Sequence, residues 1–233
     1  MHEKSIVVII SANAEWQAVK EILSPAVIHS TRLGKYFDQT FGMETPGTVT
    51  RFFHGGWGKI SAAATAQAAI DLWQPDLLVN LGTCSGFAGR ITRGTIILVV
   101  RTIVYDIIEQ MSDPAEAISH YSTELDLGWL PNPLPFPVVR GLLVSADRDI
   151  LASDIPDLVE KYGAVAADWE SGAIAWVAKK NGLRCLILRG VTDLVSAAGS
   201  EAYGDIQIFH ENTKMVITAL IDQLPGWLKN IQL

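Results

Sequence analysis

The most restrictive feature of this chain is a continuous apolar, β-branched run near its start, Ser5-Ile6-Val7-Val8-Ile9-Ile10-Ser11. Similar runs follow at Leu77-Leu78-Val79-Asn80-Leu81 and over 184–191. A strand with one wet face alternates apolar and polar residues. A run without alternation fits a strand covered on both faces, with helices above and below the sheet. Further strands are expected over 48–54, 95–105, 138–145 and 165–167, with short strands or a hairpin in 24–48, where Gly42 and Pro46-Gly47 signal turns. Helical patterns lie between them. The first covers 15–23, with Trp16, Val19 and Leu23 on one face and Asn13 placed to cap it. Others are an alanine-rich helix over 60–72, a short one headed by Ser153-Asp154, and one over 171–180 stopped by Asn181-Gly182. A final helix over 206–228 is expected to pack Ile208, Val216 and Leu220. Strands alternating with helices imply a three-layer α/β/α domain on a central mixed, twisted sheet, and 233 residues fit one such domain, 1–233. The region 106–137 is the exception, an irregular stretch of the kind that forms lids or subunit contacts.

Composition narrows the function. Hydrophobic residues make up 49% of the chain and charged residues 18%, enough for a sizeable core. A net charge of −7 argues against binding a nucleic-acid backbone, which needs a basic face. The apolar runs fall short of the roughly 20 residues of a membrane span, and Met1-His2-Glu3-Lys4 has no signal-peptide layout. Cys84 and Cys185 sit in apolar contexts and form no disulfide framework. These points predict a cytoplasmic protein with a small-molecule substrate. No cofactor is expected. Gly55-Gly56-Trp57-Gly58-Lys59 is not a phosphate-binding P-loop, because Phe53 holds the place of the first glycine and Ile60 that of Ser or Thr. No G-x-G-x-x-G occurs near 82–86, and the five histidines lack metal-ligand spacing. His120 and His210 read as surface residues.

The chemistry concentrates in acids at the ends of elements. Asp168 and Glu170 interrupt an apolar run where a helix begins, and Asp193 closes a strand-forming run. Glu15 sits in the first turn of the first helix, where the dipole favours a carboxylate, and also at the carboxyl end of the first strand. Acids at the ends of buried elements are costly unless paired or used, and strand ends of one sheet converge on one crevice. Gly82-Thr83-Cys84-Ser85-Gly86 lets a ligand approach the backbone. It also has the frame of a nucleophile elbow with Cys84 as nucleophile, although a loop rather than a helix is expected after it.

Taken in order, Glu15, Gly55-Gly56-Trp57-Gly58-Lys59, Asn80-Leu81-Gly82-Thr83, Arg140-Gly141-Leu142-Leu143-Val144-Ser145, Asp168-Trp169-Glu170 and Arg189-Gly190-Val191-Thr192-Asp193 resemble the purine nucleoside phosphorylase and nucleosidase superfamily. The nearest branch is the 5′-methylthioadenosine/S-adenosylhomocysteine nucleosidases. The resemblance implies cleavage of a purine N-glycosidic bond. Asp193 would protonate the base at N7, oriented by Thr83. Glu15 would activate water, and Glu170 would accept from the ribose hydroxyls with Trp169 beside it. Ser11, Gly82 and Tyr203 complete the implied substrate contacts, with Phe209 the alternative to Tyr203. The resemblance also implies a homodimer. The arginine that binds phosphate in the phosphorylase branches is replaced by Asn80, which favours water as nucleophile. Trp169 stands where the nucleosidase branch has methionine, and Asp149 where it has a base-stacking phenylalanine. The alternatives are a purine nucleoside phosphorylase, a futalosine-type hydrolase, a nucleoside-binding protein without turnover, and a Cys84 hydrolase.

Overall fold

A computed structural model describes residues 4–41, 48–201, 206–229 and 231. The chain runs β1 (Ser5–Ile10), α1 (Asn13–Leu23), β2 (His29–Ser30), β3 (Lys35–Gln39), β4 (Val49–His54), α2 (Lys59–Trp73), β5 (Leu77–Phe87) and β6 (Ile96–Val104). It continues with α3 (Pro114–His120), β7 (Ser122–Glu124), β8 (Val139–Ser145), α4 (Ile155–Tyr162), β9 (Ala164–Asp168), α5 (Ser171–Lys180), β10 (Cys185–Ser196), β11 (Gly199–Ser200) and α6 (Ile206–Lys229). The turn expected at Gly42 and Pro46-Gly47 and the candidate contact Tyr203 lie outside the described residues, as do Met1, His2 and Glu3.

The unalternating run of β1 feeds two cores. Ile6, Val8 and Ile10 enter one cluster with Trp16 and Val19 of α1 and Val216, Leu220 and Leu224 of α6. Val7 and Ile9 enter the other, with Ala62, Ala66 and Ala69 of α2 and Ile174, Ala175 and Ala178 of α5. Successive side chains of a strand point to opposite faces, so burial on both sides requires an apolar residue at every position. This is the expected three-layer arrangement: α1 and α6 on one side, α2 and α5 on the other, with a mixed sheet between.

The sheet order is β11-β10-β6-β8-β9-β5-β1-β4-β3-β2, and β10 also pairs with β5. Strands β5, β9, β8, β6 and β10 therefore close into a ring. Two strands share one edge of β5 in succession. Parallel β1 pairs from Leu77 to Asn80, and antiparallel β9 pairs at Ser85 and Gly86. In between the edge is open, at the kind of switch point where such sheets hold ligands.

Several elements depart from expectation. Strand β5 continues through Gly82–Gly86, and β10 continues past Val191 and Asp193 to Ser196. The region 106–137 contains α3 and β7, and Ile208 is 40% exposed rather than packed. The N-cap of α1 is Ala12, not Asn13, and Glu15 closes this end by accepting the Ala12 N–H at 3.0 Å. No helix among the described residues is long and apolar enough to cross a membrane.

Close packing of α6 on β10 depends on Gly190, where an added Cβ would lie 2.2 Å from Val216 Cγ1. Gly190→Ala is expected to lower stability by about 1–3 kcal/mol through overpacking, read as a lower midpoint in denaturant titration with an unchanged slope.

Candidate active site

A cavity of about 370 Å³ opens at the uncovered edge of β5. Ala12 and Glu15 come from the start of α1, Thr83, Cys84 and Ser85 from β5, Thr192 and Asp193 from β10, and Asp168, Trp169 and Glu170 from the turn between β9 and α5. Trp57, Asp149 and Phe209 complete the lining. The structure thus brings together Glu15, Thr83, Trp169, Glu170 and Asp193, as the sequence predicts. It also supplies the alternative aromatic, Phe209, while Tyr203 is not described.

Glu15 is 3% exposed and accepts from three donors, which leaves Oε2 an acceptor site. Oε1 accepts from the Thr83 N–H at 2.6 Å and the Thr83 hydroxyl at 2.9 Å, and Oε2 accepts from the Ala12 N–H. The Thr83 amide is available because neither β1 nor β9 pairs with β5 at that position. Thr83 therefore holds Glu15 and not Asp193, correcting the expected partnership.

Asp193 is held by three hydroxyls. Oδ1 accepts from Ser85 at 3.1 Å and Thr192 at 2.9 Å, and Oδ2 accepts from Ser200. The backbone explains the choice. The register of β10 on β5 shifts between Val191 and Asp193, so Asp193 lies opposite Ser85. A bulge of this type re-aims the side chains beyond it. Nothing in the sequence marks the extra residue, although the Thr192-Asp193 pair offered a local donor.

Glu170 is 8% exposed at the head of α5 and accepts the Gly58 N–H at 3.0 Å. Trp57, next to that glycine, meets Trp169 edge-on with ring centroids 5.5 Å apart. The glycine-rich turn is thereby fastened over the site by a hydrogen bond and an aromatic pair. Gly58 takes a φ of 86°, in the region that favours glycine. Burial, and then the nearby carboxylate of Asp168, push the Glu170 carboxyl up to about 8. Arg189 and the Gly58 amide act against that rise.

Beneath the cavity lies a buried polar network. Arg189 Nε donates to Asp168 Oδ2 at 2.7 Å and to the Ser171 hydroxyl, and Nη2 donates to Asn80 Oδ1 at 2.7 Å. Asp168 also accepts from the hydroxyls of Ser145 and Ser171 and from the Ser171 amide. Asp168 is thus a supporting group, as expected, although it lines the cavity too. Asn80 is wholly buried and donates to the Ile9 carbonyl, so it lies under the site rather than in it. Gly82 and Ser11 do not line the cavity, against expectation. At Gly82 an added Cβ would sit 2.0 Å from Arg189 Nη1, so this glycine makes room for the guanidinium. Ser11 is buried, one residue before the lining begins. Arg189 was the readable signal for the network, since a charge inside an apolar strand must be paired.

Cys84 is 4% exposed, its thiol points to the Gly190 carbonyl at 3.7 Å, and burial raises it well above the ordinary range. Strand β5 runs straight through it with no helix following. Neither an elbow nor a reactive thiolate is present.

The sequence profile of the phosphorylase superfamily matches residues 6–224. A 5′-methylthioadenosine/S-adenosylhomocysteine nucleosidase from Buchnera aphidicola is 26% identical over 149 residues, covering 59% of this chain and 64% of the relative. One from Maridesulfovibrio salexigens is 28% identical over 169 residues, covering 67% of this chain and 73% of the relative. The alignment to the Buchnera protein thus spans just under two thirds of it. Among solved structures, the Neisseria meningitidis nucleosidase in complex with methylthio-immucillin-A superposes with a TM-score of 0.74 at 18% identity, covering 98% of this chain and 100% of that one. Futalosine hydrolase of Helicobacter pylori gives 0.74 at 14% identity, covering 95% and 98%. The chain belongs to the phosphorylase superfamily and has its fold.

The raised Glu170 carboxyl gives a pH signature. Folding favours its protonated form, so its cost to stability is absent below the ordinary value of 4.5 and grows until the pH passes about 8. Glu170→Gln keeps an acceptor for Gly58 but cannot ionise. Its stability relative to the parent should rise through that window and level off above it, by about 2 kcal/mol or more, because each unit of displacement is worth about 1.4 kcal/mol. Denaturant titrations from acid to alkaline pH check this, and a pH-independent difference would count against the assignment.

Proposed function

We propose that this member of the phosphorylase superfamily hydrolyses the N-glycosidic bond of a purine nucleoside, of the 5′-methylthioadenosine/S-adenosylhomocysteine type, releasing the purine base. The observation that carries the reading is the set of acids that meet at the cavity. Glu15, Glu170 and Asp193 reach it from three different elements, and no Lys, Arg or His is among the described residues lining it. Glycosidic cleavage passes through an oxocarbenium-like cation, which carboxylates stabilise. A phosphate nucleophile needs a cationic partner, and the nearby Arg189 is spent on Asp168 and Asn80 below the cavity. Water is therefore the nucleophile. The relatives, 5′-methylthioadenosine/S-adenosylhomocysteine nucleosidases, support this reading.

In this mechanism Asp193 gives its proton to N7 as the C1′–N9 bond breaks and its electron pair moves into the base. Water attacks C1′ and passes its proton to Glu15. The donors on Glu15 hold both carboxylate oxygens in fixed positions, which suits a base that must meet one water in one place. Glu170 accepts from the ribose hydroxyls, and Trp169 with Trp57 forms the adjoining aromatic wall. The hydroxyls of Ser85, Thr192 and Ser200 position Asp193.

We further place the protein in the cytoplasm, consistent with two free buried cysteines, and assemble it as a homodimer. The face available to a second copy includes Ile60, 85% exposed on α2, and a largely apolar groove beside it lined by Ile107, Tyr121 and Trp176. Ile60→Asp is expected to yield monomers by analytical ultracentrifugation, and an undisturbed dimer would move the interface elsewhere.

Purified protein should release adenine from 5′-methylthioadenosine at a rate indifferent to added phosphate. Asp193→Asn and Glu15→Gln should each lower kcat by about 100-fold or more, the usual scale for a positioned acid or base. Full activity in both variants, or a strict need for phosphate, would overturn the assignment.

A further inference from the structure

A second cavity, of about 690 Å³, lies between α1, the β2–β3 hairpin and the end of β4, and shares no lining residue with the first. Three elements each direct a basic side chain to it: Lys20 from α1, Lys35 from β3 and His54 from β4. Lys35 and His54 are cross-strand partners in an antiparallel pair, so their side chains leave the sheet on the same face. Among the described residues, no Asp or Glu lines the cavity. The acid next to Lys20 on α1, Glu21, accepts from Lys214 at 2.8 Å and from Gln17 at 3.0 Å. This concentration of positive charge stands on a chain whose net charge is −7, so it is not part of a generally basic surface.

The imidazole of His54 lies flat on Trp16, with ring centroids 5.2 Å apart and planes 9° apart. Its buried Nε2 has no hydrogen-bond partner among the described residues. Burial, followed by the charges of Lys20 and Lys35, lowers its pKa, while a hydrogen bond with the Ser11 backbone acts the other way. The rest of the wall is mixed: Ile28 and Leu33 are apolar, Asn13, Gln17 and Ser30 are polar, and Gly34, Gly55 and Gly56 bring backbone close to the space.

We propose that this cavity is a second ligand site, separate from the acidic one, that binds a phosphate monoester carrying an apolar or aromatic body. Two ammonium groups match the double negative charge of a phosphate monoester, for which lysine is an established point-charge partner. The apolar side chains of the lining, Trp16, Ile28 and Leu33, receive the body of the ligand. The acidic cavity repels the same molecule, so the two sites sort ligands by charge.

Phenyl phosphate is the probe. Titrated into the full chain, it should move the imidazole resonance of His54, identified by its loss in His54→Gln, in a saturable manner. Lys20→Ala combined with Lys35→Ala should weaken binding by about tenfold or more. Its thermal midpoint should stay that of the parent, because neither lysine is buried. Inorganic phosphate should bind more weakly, and phenol not at all. Absence of a saturable shift up to about 10 mM, undiminished binding by the folded double variant, or equal affinity for inorganic phosphate would each overturn the proposal.

Discussion

The ion pair between Arg189 and Asp168 is the interaction on which the site rests. Both side chains are almost wholly buried, at 1% and 2% exposure. Removing two charges from water costs several kcal/mol per ion, and their attraction offsets this only if the remaining donors and acceptors are also satisfied. Here they are met from every side. Asn80 of β5 takes one arm of the guanidinium, Ser171 of α5 takes another contact, and Ser145 of β8 donates to the carboxylate. One buried pair thus fixes four strands, β5, β8, β9 and β10, and a helix relative to each other. Its carboxylate also contributes to the rise in Glu170, the group immediately above it.

The elements were legible because burial on both faces leaves an unmistakable pattern. Each residue of β1 from Ile6 to Ile10 had to be apolar for its alternate side chains to enter two different cores. The acids were legible as a set because a carboxylate at the end of a buried element needs a reason. Their partners were not. Thr83 serves Glu15 because β5 has an open edge there, and Asp193 meets Ser85 because β10 shifts register just before it. Both facts concern strand pairing far apart in sequence, and no local pattern encodes them. Gly82 misled for a related reason. A glycine beside a site suggests close approach of a ligand, but here the group that approaches is Arg189.

The glycine-rich turn after β4 joins the two cavities in the fold. Gly55 and Gly56 border the cationic one, while Trp57 and Gly58 reach the acidic one. Helix α1 divides in the same way, with Glu15 turned to one side and Trp16 to the other. Opposite electrostatic environments are therefore separated by little more than a helix start and a turn.

The open edge of β5 has an evolutionary consequence. The shorter of the two contacts that Thr83 makes with Glu15 comes from its backbone amide. Every residue except proline carries that amide, so substitution at position 83 leaves the contact available whatever side chain arrives. A tether written into the path of the chain is hard to lose by drift. The side chain at position 83 can change, and with it the wall the cavity presents, while the carboxylate stays where it is.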